Sequence, residues 1–287
     1  MCPSLNATRI GRRFEDLRRS GDLGLVAYLT AGDPSLDATY RIVLAAAEAG
    51  ADVIELGVPF SDPLADGPVI QRASERALAA GTTLARVLDL IAQIRRESEV
   101  PLVVFSYFNP ILQMGVDAFA ARAQAAGADG VLVTDLPPED SAEHVRALRA
   151  HNLDSIFLAA PTTGDERMRC IAEHSTGFLY VISRTGVTGE RDALADELPA
   201  LLRRARRATD LPLAVGFGIS LPGHVSVLGG LADAAVVGSA LVAEVERATS
   251  PQEAAANVSS RIRSLKQAGV KGMSRRESPA TAQGAKP

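Results

Sequence analysis

Apolar runs of four to six residues alternate along this chain with windows in which apolar side chains return every three or four positions, the periods of buried strands and amphipathic helices. The runs are apolar at consecutive positions, as parallel strands covered on both faces require, and they recur roughly every 25 to 35 residues. Eight βα units result, with strands predicted at 25–29, 52–58, 102–106, 130–133, 155–158, 178–182, 213–215 and 234–237. A helix over 8–20, with Ile10, Phe14 and Leu17 on one face, precedes the first strand and is placed to cover the base of a barrel. Ser35 reads as the N-cap of a helix through Ala49. The second strand is followed by a helix to about Ala80 and another over 83–96, so this unit carries an insertion. Further helices are predicted at 117–126, 139–150 and 251–267, with Tyr107 to Pro110 read as loop. The pattern predicts an α/β fold: a single (β/α)8 TIM barrel over 8–267 with an extra N-terminal helix and an insertion helix after strand 2. A flexible N-terminus at 1–7 and a disordered tail at 268–287 flank it.

One stretch breaks the apolar rule. Val53 to Gln71 reads VIELGVPFSDPLADGPVIQ, which puts Glu55 inside a strand and Asp66 in a loop stiffened by Pro59, Pro63 and Pro68. Val53, Glu55 and Gly57 share one face, and if that face is the barrel interior the carboxyl group lies in the top layer of core side chains. Burial there raises its pKa toward neutrality, which suits a group that must donate and accept a proton, whereas Asp66, nearer solvent, more easily stays ionised. Asp33, Tyr107 and Asp135 also fall at strand ends, where loops are polar in any case. Three small-residue turns follow the last strands: Thr188-Gly189, Gly216-Phe217-Gly218 and Gly238-Ser239. Singly they are turn punctuation, but together they match a barrel phosphate site in which backbone N–H groups and a helix N-terminus converge on a dianion.

Composition narrows the chemistry. With 47% hydrophobic and 22% charged residues, the 287-residue chain can bury a large core, and no run approaches a membrane span or a secretory h-region, so a cytoplasmic protein is expected. A net charge of −4 and the absence of Trp argue against nucleic-acid binding. Lys266, Lys271 and Lys286 are the only lysines and lie outside the barrel strands, so a Schiff-base mechanism lacks its nucleophile. His144, His151, His174 and His224 fall in or at the ends of helical windows and read as surface or helix-end residues rather than ligands, so no metal is expected. Cys170 reads as a small core hydrophobe. Carboxylate acid/base chemistry on a phosphorylated substrate is what survives.

From about Phe14 through Leu265 the chain resembles the tryptophan synthase α-subunit family. ELGVPFSDPLADGP at 55–68 is highly specific, and YLTAGDP at 28–34, SRTGVTG at 183–189 and GFGIS at 216–220 fall in family order and spacing. The resemblance implies retro-aldol cleavage of indole-3-glycerol phosphate to indole and glyceraldehyde 3-phosphate, with Glu55 as proton shuttle at the ring carbon and Asp66 as partner of the indole N–H. It implies a pocket lined by Tyr28, Tyr107, Tyr180, Thr188 and Phe217, and phosphate contacts at Gly189, Gly218, Gly238 and Ser239. It also implies a β subunit that holds pyridoxal phosphate, with no cofactor in this chain, an α2β2 hetero-tetramer, and an interface that includes Asp62, Asp135 and Pro137. The loop from Ser183 to about Ala193 is long enough to act as a lid. The chain departs from the family at Val26-Ala27-Tyr28, where a proline commonly precedes the aromatic residue, and in the tail. Two other readings stand beside this one: another barrel acting on an indole or sugar phosphate, and a partner-activating module without catalysis, against which Glu55 and Asp66 speak.

Overall fold

Consecutive apolar residues leave a strand no polar face, so each strand needs cover on both sides, and a ring of parallel strands inside a ring of helices supplies it. The computed structural model describes residues 8–182, 194–216 and 218–269. Its strands are β1 (Gly24–Thr30), β2 (Val53–Gly57), β3 (Leu102–Ser106), β4 (Gly130–Val133), β5 (Asp154–Ile156), β6 (Leu158–Ala159), β7 (Leu179–Ile182), β8 (Leu213–Gly216) and β9 (Ala234–Val237). All pair in parallel, in the order β5-β4-β3-β2-β1-β9-β8-β7-β6.

The fifth predicted strand, 155–158, is not continuous. β5 hydrogen-bonds to β4 with one edge, β6 to β7 with the other, and the Phe157 carbonyl between them accepts the Tyr180 N–H at 3.1 Å. The two ends of the sheet are thus halves of one strand, and eight strand positions form the barrel.

The helices are α1 (Arg9–Ser20), α2 (Leu36–Glu48), α3 (Pro68–Ala79), α4 (Leu84–Ile94), α5 (Phe108–Met114), α6 (Val116–Ala126), α7 (Ala142–Ala150), α8 (Asp165–His174), α9 (Leu194–Ala208), α10 (Pro222–Leu228), α11 (Ser239–Arg247) and α12 (Pro251–Gly269). Ser35 caps α2 through the Ala38 N–H at 3.2 Å, and Thr83 caps α4 through Arg86 at 3.4 Å. Two expectations are corrected. Residues 108–110, read as loop because of Pro110, open α5; a proline in the first helical turn gives up an N–H that has no intrahelical acceptor anyway. The helix expected over 139–150 begins as a 3-10 turn (Pro138–Asp140) and becomes α-helical only after Ser141, whose hydroxyl donates to the Pro138 carbonyl at 2.8 Å. The last helix runs to Gly269, two residues beyond its expected end.

Two cores lie on either side of the barrel wall. Val26, Val53, Val103, Leu132, Ile156, Phe178, Ala214 and Val236 fill the interior, and Ile10, Phe14 and Leu17 of α1 plug its base, with the Phe14 and Phe178 rings 5.6 Å apart. The alternate residues Ala27, Leu29, Ile54, Leu56, Val104 and Val131 pack outward against the helices. The closed end also carries a repeated device. Asp52, Asp129 and Asp233 stand directly before β2, β4 and β9, and each carboxylate accepts an N–H from the start of a neighbouring strand: Leu25 at 2.6 Å, Leu102 at 2.8 Å and Leu213 at 2.7 Å. Each is neutralised by bases: Arg13 and Lys266 at Asp52, Arg9 and Arg95 at Asp129, Arg206 at Asp233. The repeat Ala-Gly-Ala-Asp at 49–52 and 126–129 is its trace in the sequence, the glycines taking φ of 103° and 87° to turn helix into strand.

Candidate active site

β2 turns the side chains of Val53, Glu55 and Gly57 inward, so Glu55 sits one layer above the apolar interior at the open end of the barrel. It is fully buried, neither carboxyl oxygen has a hydrogen-bond partner among the described residues, and burial pushes its pKa up to about 8. Its Cα neighbours on the flanking strands are Tyr28 and Val103. Tyr28 runs up along β2 until its hydroxyl rests on Gly57, where a Cβ would lie 2.1 Å from the hydroxyl oxygen; Tyr180 rests the same way on Gly216, at 2.2 Å. Phe105 holds the Tyr28 ring edge-on, with centroids 5.1 Å apart. Burial raises the pKa of both tyrosines, and the charge of Glu55 adds to it in each. Asp66 raises that of Tyr28 as well, so Tyr28 lies within electrostatic reach of both acids.

Asp66 is half-buried in the loop between β2 and α3, and its pKa is pushed up to about 6 by burial, against which the Tyr107 hydroxyl works by donating to Oδ2 at 3.1 Å. The same hydroxyl accepts the Ala65 N–H at 2.9 Å, and the Phe60 ring stacks on Tyr107 at 5.0 Å. The Gln71 amide donates to the carbonyls of Asp66 (2.9 Å) and Pro63 (3.4 Å), and the Asp66 N–H turns back to Pro63 at 3.0 Å. The loop is therefore held by hydrogen bonds from outside it as well as by its prolines. Both acids are raised by burial, Glu55 further than Asp66. Glu55 is thus the weaker acid of the two and holds its proton to higher pH than Asp66 does.

Gly218 follows β8 with φ of 84°, a left-handed conformation that favours glycine. On the next strand, Gly238 is the N-cap of α11, its carbonyl accepting from Leu241 (2.8 Å) and Val242 (3.1 Å), and Ser239 is exposed in the first turn. The opening N–H groups of a helix have no intrahelical acceptor and attract anions. Gly238 also backs onto Tyr28, whose Cβ would be 3.5 Å from a Cβ placed there. Thr188, Gly189, Phe217 and the loop from Ser183 to Ala193 lie outside the described residues.

The three expected partner-facing residues divide. Asp62 is exposed and takes the Ser61 hydroxyl at 2.6 Å, next to a Leu64 side chain that is 93% exposed. Pro137 is half-buried at the head of the 3-10 turn, and Asp135 accepts the Phe108 N–H at 2.7 Å and so caps α5. Asp33, also at a strand end, is buried and held by Arg76 Nε and Nη2, each at 2.8 Å; Arg76 Nη1 and Arg72 in turn bind Glu246, which ties α3 to α11. The four-residue spacing of Arg72 and Arg76 was the available signal for this network. His144 corrects the reading of the histidines as surface residues: it is 4% exposed, packed edge-on against Phe108, and burial lowers its pKa to about 4. Cys170 is half-buried rather than a core residue. Among the described residues, no three His, Cys, Asp or Glu side chains could hold a metal ion, and no single helix is long and apolar enough to cross a membrane.

The chain is thus a (β/α)8 barrel that carries a fully buried acid on β2, a half-buried acid in the following loop and a helix N-terminus at its open rim. The tryptophan synthase alpha chain family model matches residues 14–270. The tryptophan synthase alpha chain of Solibacter usitatus is 56% identical over 240 residues, which cover 84% of this chain and 90% of that protein. The crystal structure of tryptophan synthase subunit alpha from Legionella pneumophila matches at 39% identity with a TM-score of 0.84, covering 91% of this chain and 98% of that one. A chain of the Mycobacterium tuberculosis tryptophan synthase structure matches at 36% identity and a TM-score of 0.84, covering 93% and 100%. The chain belongs to the tryptophan synthase alpha chain family. It is a lyase of tryptophan biosynthesis, and its reaction is the alpha reaction of tryptophan synthase, which releases indole and glyceraldehyde 3-phosphate from indole-3-glycerol phosphate.

Proposed function

We propose that Glu55 and Asp66 divide the alpha reaction between them. Glu55, protonated at neutral pH, gives its proton to the indole ring carbon that bears the glycerol chain. Asp66, ionised, accepts a hydrogen bond from the ring N–H and stabilises the cation that forms. The carboxylate left on Glu55 then takes the proton of the adjacent chain hydroxyl. The carbon–carbon bond breaks, its electron pair returns to the ring, and the hydroxyl carbon becomes the aldehyde. One group acts as acid and then as base, and the chemistry needs no metal and no cofactor of this chain. Gly238 and Ser239 at the head of α11, with Gly218 and Gly189, hold the phosphate through backbone N–H groups. Tyr28, Tyr107, Tyr180, Thr188 and Phe217 form the pocket wall.

The observation that carries this reading is the buried carboxyl of Glu55, which has no hydrogen-bond partner among the described residues and whose pKa, raised to about 8, favours the protonated form where an acid is required. A pyridoxal-phosphate β subunit is proposed to cover the loops at 58–66 and 135–138, in an α2β2 assembly, and the outward Leu64 supports a partner there. Indole release from indole-3-glycerol phosphate, measured with and without the β subunit, tests both parts. Glu55→Gln should abolish release while glycerol 3-phosphate binding stays nearly intact, and release at the parent rate would sink the role given to Glu55. The absence of both binding to the β subunit and activation by it would sink the assembly.

A further inference from the structure

Asp66 is held by a residue from another strand end. The Tyr107 hydroxyl accepts the Ala65 N–H at 2.9 Å and donates to Asp66 Oδ2 at 3.1 Å, so one oxygen fixes two consecutive loop residues. A hydroxyl has one proton, and here that proton is committed to the carboxylate. The ring has little freedom, being 5% exposed and stacked under Phe60 at 5.0 Å. Its backbone is fixed as well, because Tyr107 is the N-cap of α5 and the Asp135 carboxylate takes the Phe108 N–H at 2.7 Å. The ends of β4, β3 and β2 are thereby linked in one line, Asp135 to Phe108 to Tyr107 to Asp66.

We infer that Tyr107 is a positioning residue for the reaction: it orients the Asp66 carboxylate by binding Oδ2, which commits Oδ1 to the ring N–H of the substrate, and Asp135 supports it from beneath. The inference rests on the role proposed for Asp66. Among the described residues, the titratable groups that face this pair are Tyr28, which feels both Asp66 and Glu55, and Asp135, which acts on Tyr107. A hydrogen bond to the charged form of Asp66 lowers its pKa against the effect of burial, so its loss raises the pKa above about 6.

The test is Tyr107→Phe, which keeps the ring and its stack on Phe60. With kcat/KM for indole-3-glycerol phosphate measured from pH 5 to 9, the variant should be about 10- to 100-fold slower, the range for losing a hydrogen bond to a charged group. Its acid limb should move to higher pH while the alkaline limb, set by Glu55, stays in place. Titration of the substrate phosphate is common to both proteins and drops out of the comparison. Glycerol 3-phosphate binding should change less than about twofold, because Tyr107 follows β3 whereas Gly218 and Gly238 follow β8 and β9, with β2 and β1 between them. Asp135→Ala, measured in the chain alone, should move the acid limb the same way by a smaller amount. An unchanged acid limb in Tyr107→Phe, with Asp66→Asn strongly impaired, overturns the inference alone. Parent activity in Asp66→Asn overturns the role of Asp66 and the inference together.

Discussion

Glu55 makes the protein less stable than its barrel allows, and by an amount that depends on pH. Its carboxyl has an ordinary pKa of 4.5 and a folded-state pKa of about 8. Between these values the folded protein keeps a proton that the unfolded chain has lost, so the contribution of Glu55 to stability is fully present below pH 4.5 and is lost as pH rises through about 8. Each pH unit above 4.5 costs about 1.4 kcal/mol until the higher value is reached, which gives about 3 kcal/mol at pH 7 and about 5 kcal/mol above pH 8. Glu55→Gln removes the titration and keeps the shape, and its buried amide adds a term that does not vary with pH. The informative quantity is therefore the change with pH of the stability difference between variant and parent. Urea unfolding of both at pH 5, 7 and 8.5 should show that difference shifting in favour of the variant by about 4 kcal/mol across the range. The variant that cannot catalyse should gain stability as the pH rises. A difference that moves by less than about 1 kcal/mol would refute the reasoning, because Glu55 would then titrate normally in the folded protein.

Two further outcomes follow from the packing. Gly57→Ala puts a methyl group 2.1 Å from the Tyr28 hydroxyl oxygen and 2.5 Å from Cζ, so the ring must retreat by more than about 1 Å, at a cost of about 1–3 kcal/mol in a packed layer. Indole release should fall about 100-fold, and Tyr28→Phe should fail to restore it while Tyr28→Val relieves the strain in thermal unfolding; a Gly57→Ala protein with parent stability and rate contradicts the seat. Asp129→Ala strands the buried ends of Arg95 and the Leu102 N–H and should lower stability by about 3–5 kcal/mol, with the KM for indole-3-glycerol phosphate unchanged below the melting transition. A large change in KM would mean that the closed end is coupled to the open one.

The open end needs its acids in different environments, and the chain obtains this with neighbouring residues on one strand and loop. Among the described residues the Glu55 carboxyl has no hydrogen-bond partner and burial raises its pKa to about 8; Asp66 takes the Tyr107 hydroxyl and is raised only to about 6. Opposite protonation states at one pH require that difference in solvation and hydrogen bonding, because the two side chains have nearly equal intrinsic acidity.

Much of this was written locally in the chain. Apolar runs and helical periods depend on residues a few positions apart, so the parallel βα order, the cap at Ser35, the plug formed by α1 and the insertion after β2 were all readable from the sequence. The alternation along β2 was enough to turn Glu55 inward, and the specific stretch at 55–68 carried the family. Long-range pairing settled the rest. Whether 155–158 stays one strand depends on which neighbour each half meets, and the break at Phe157 appears only when β4 and β7 are both in place. Pro110 reads as a breaker until Asp135, 27 positions from Phe108, caps the helix it opens. The seats of Tyr28 on Gly57 and Tyr180 on Gly216, the burial of His144, and the grip of Tyr107 on Asp66 join residues on different elements. Such contacts leave no periodic trace, because the spacing between partners is set by barrel closure rather than by the chain.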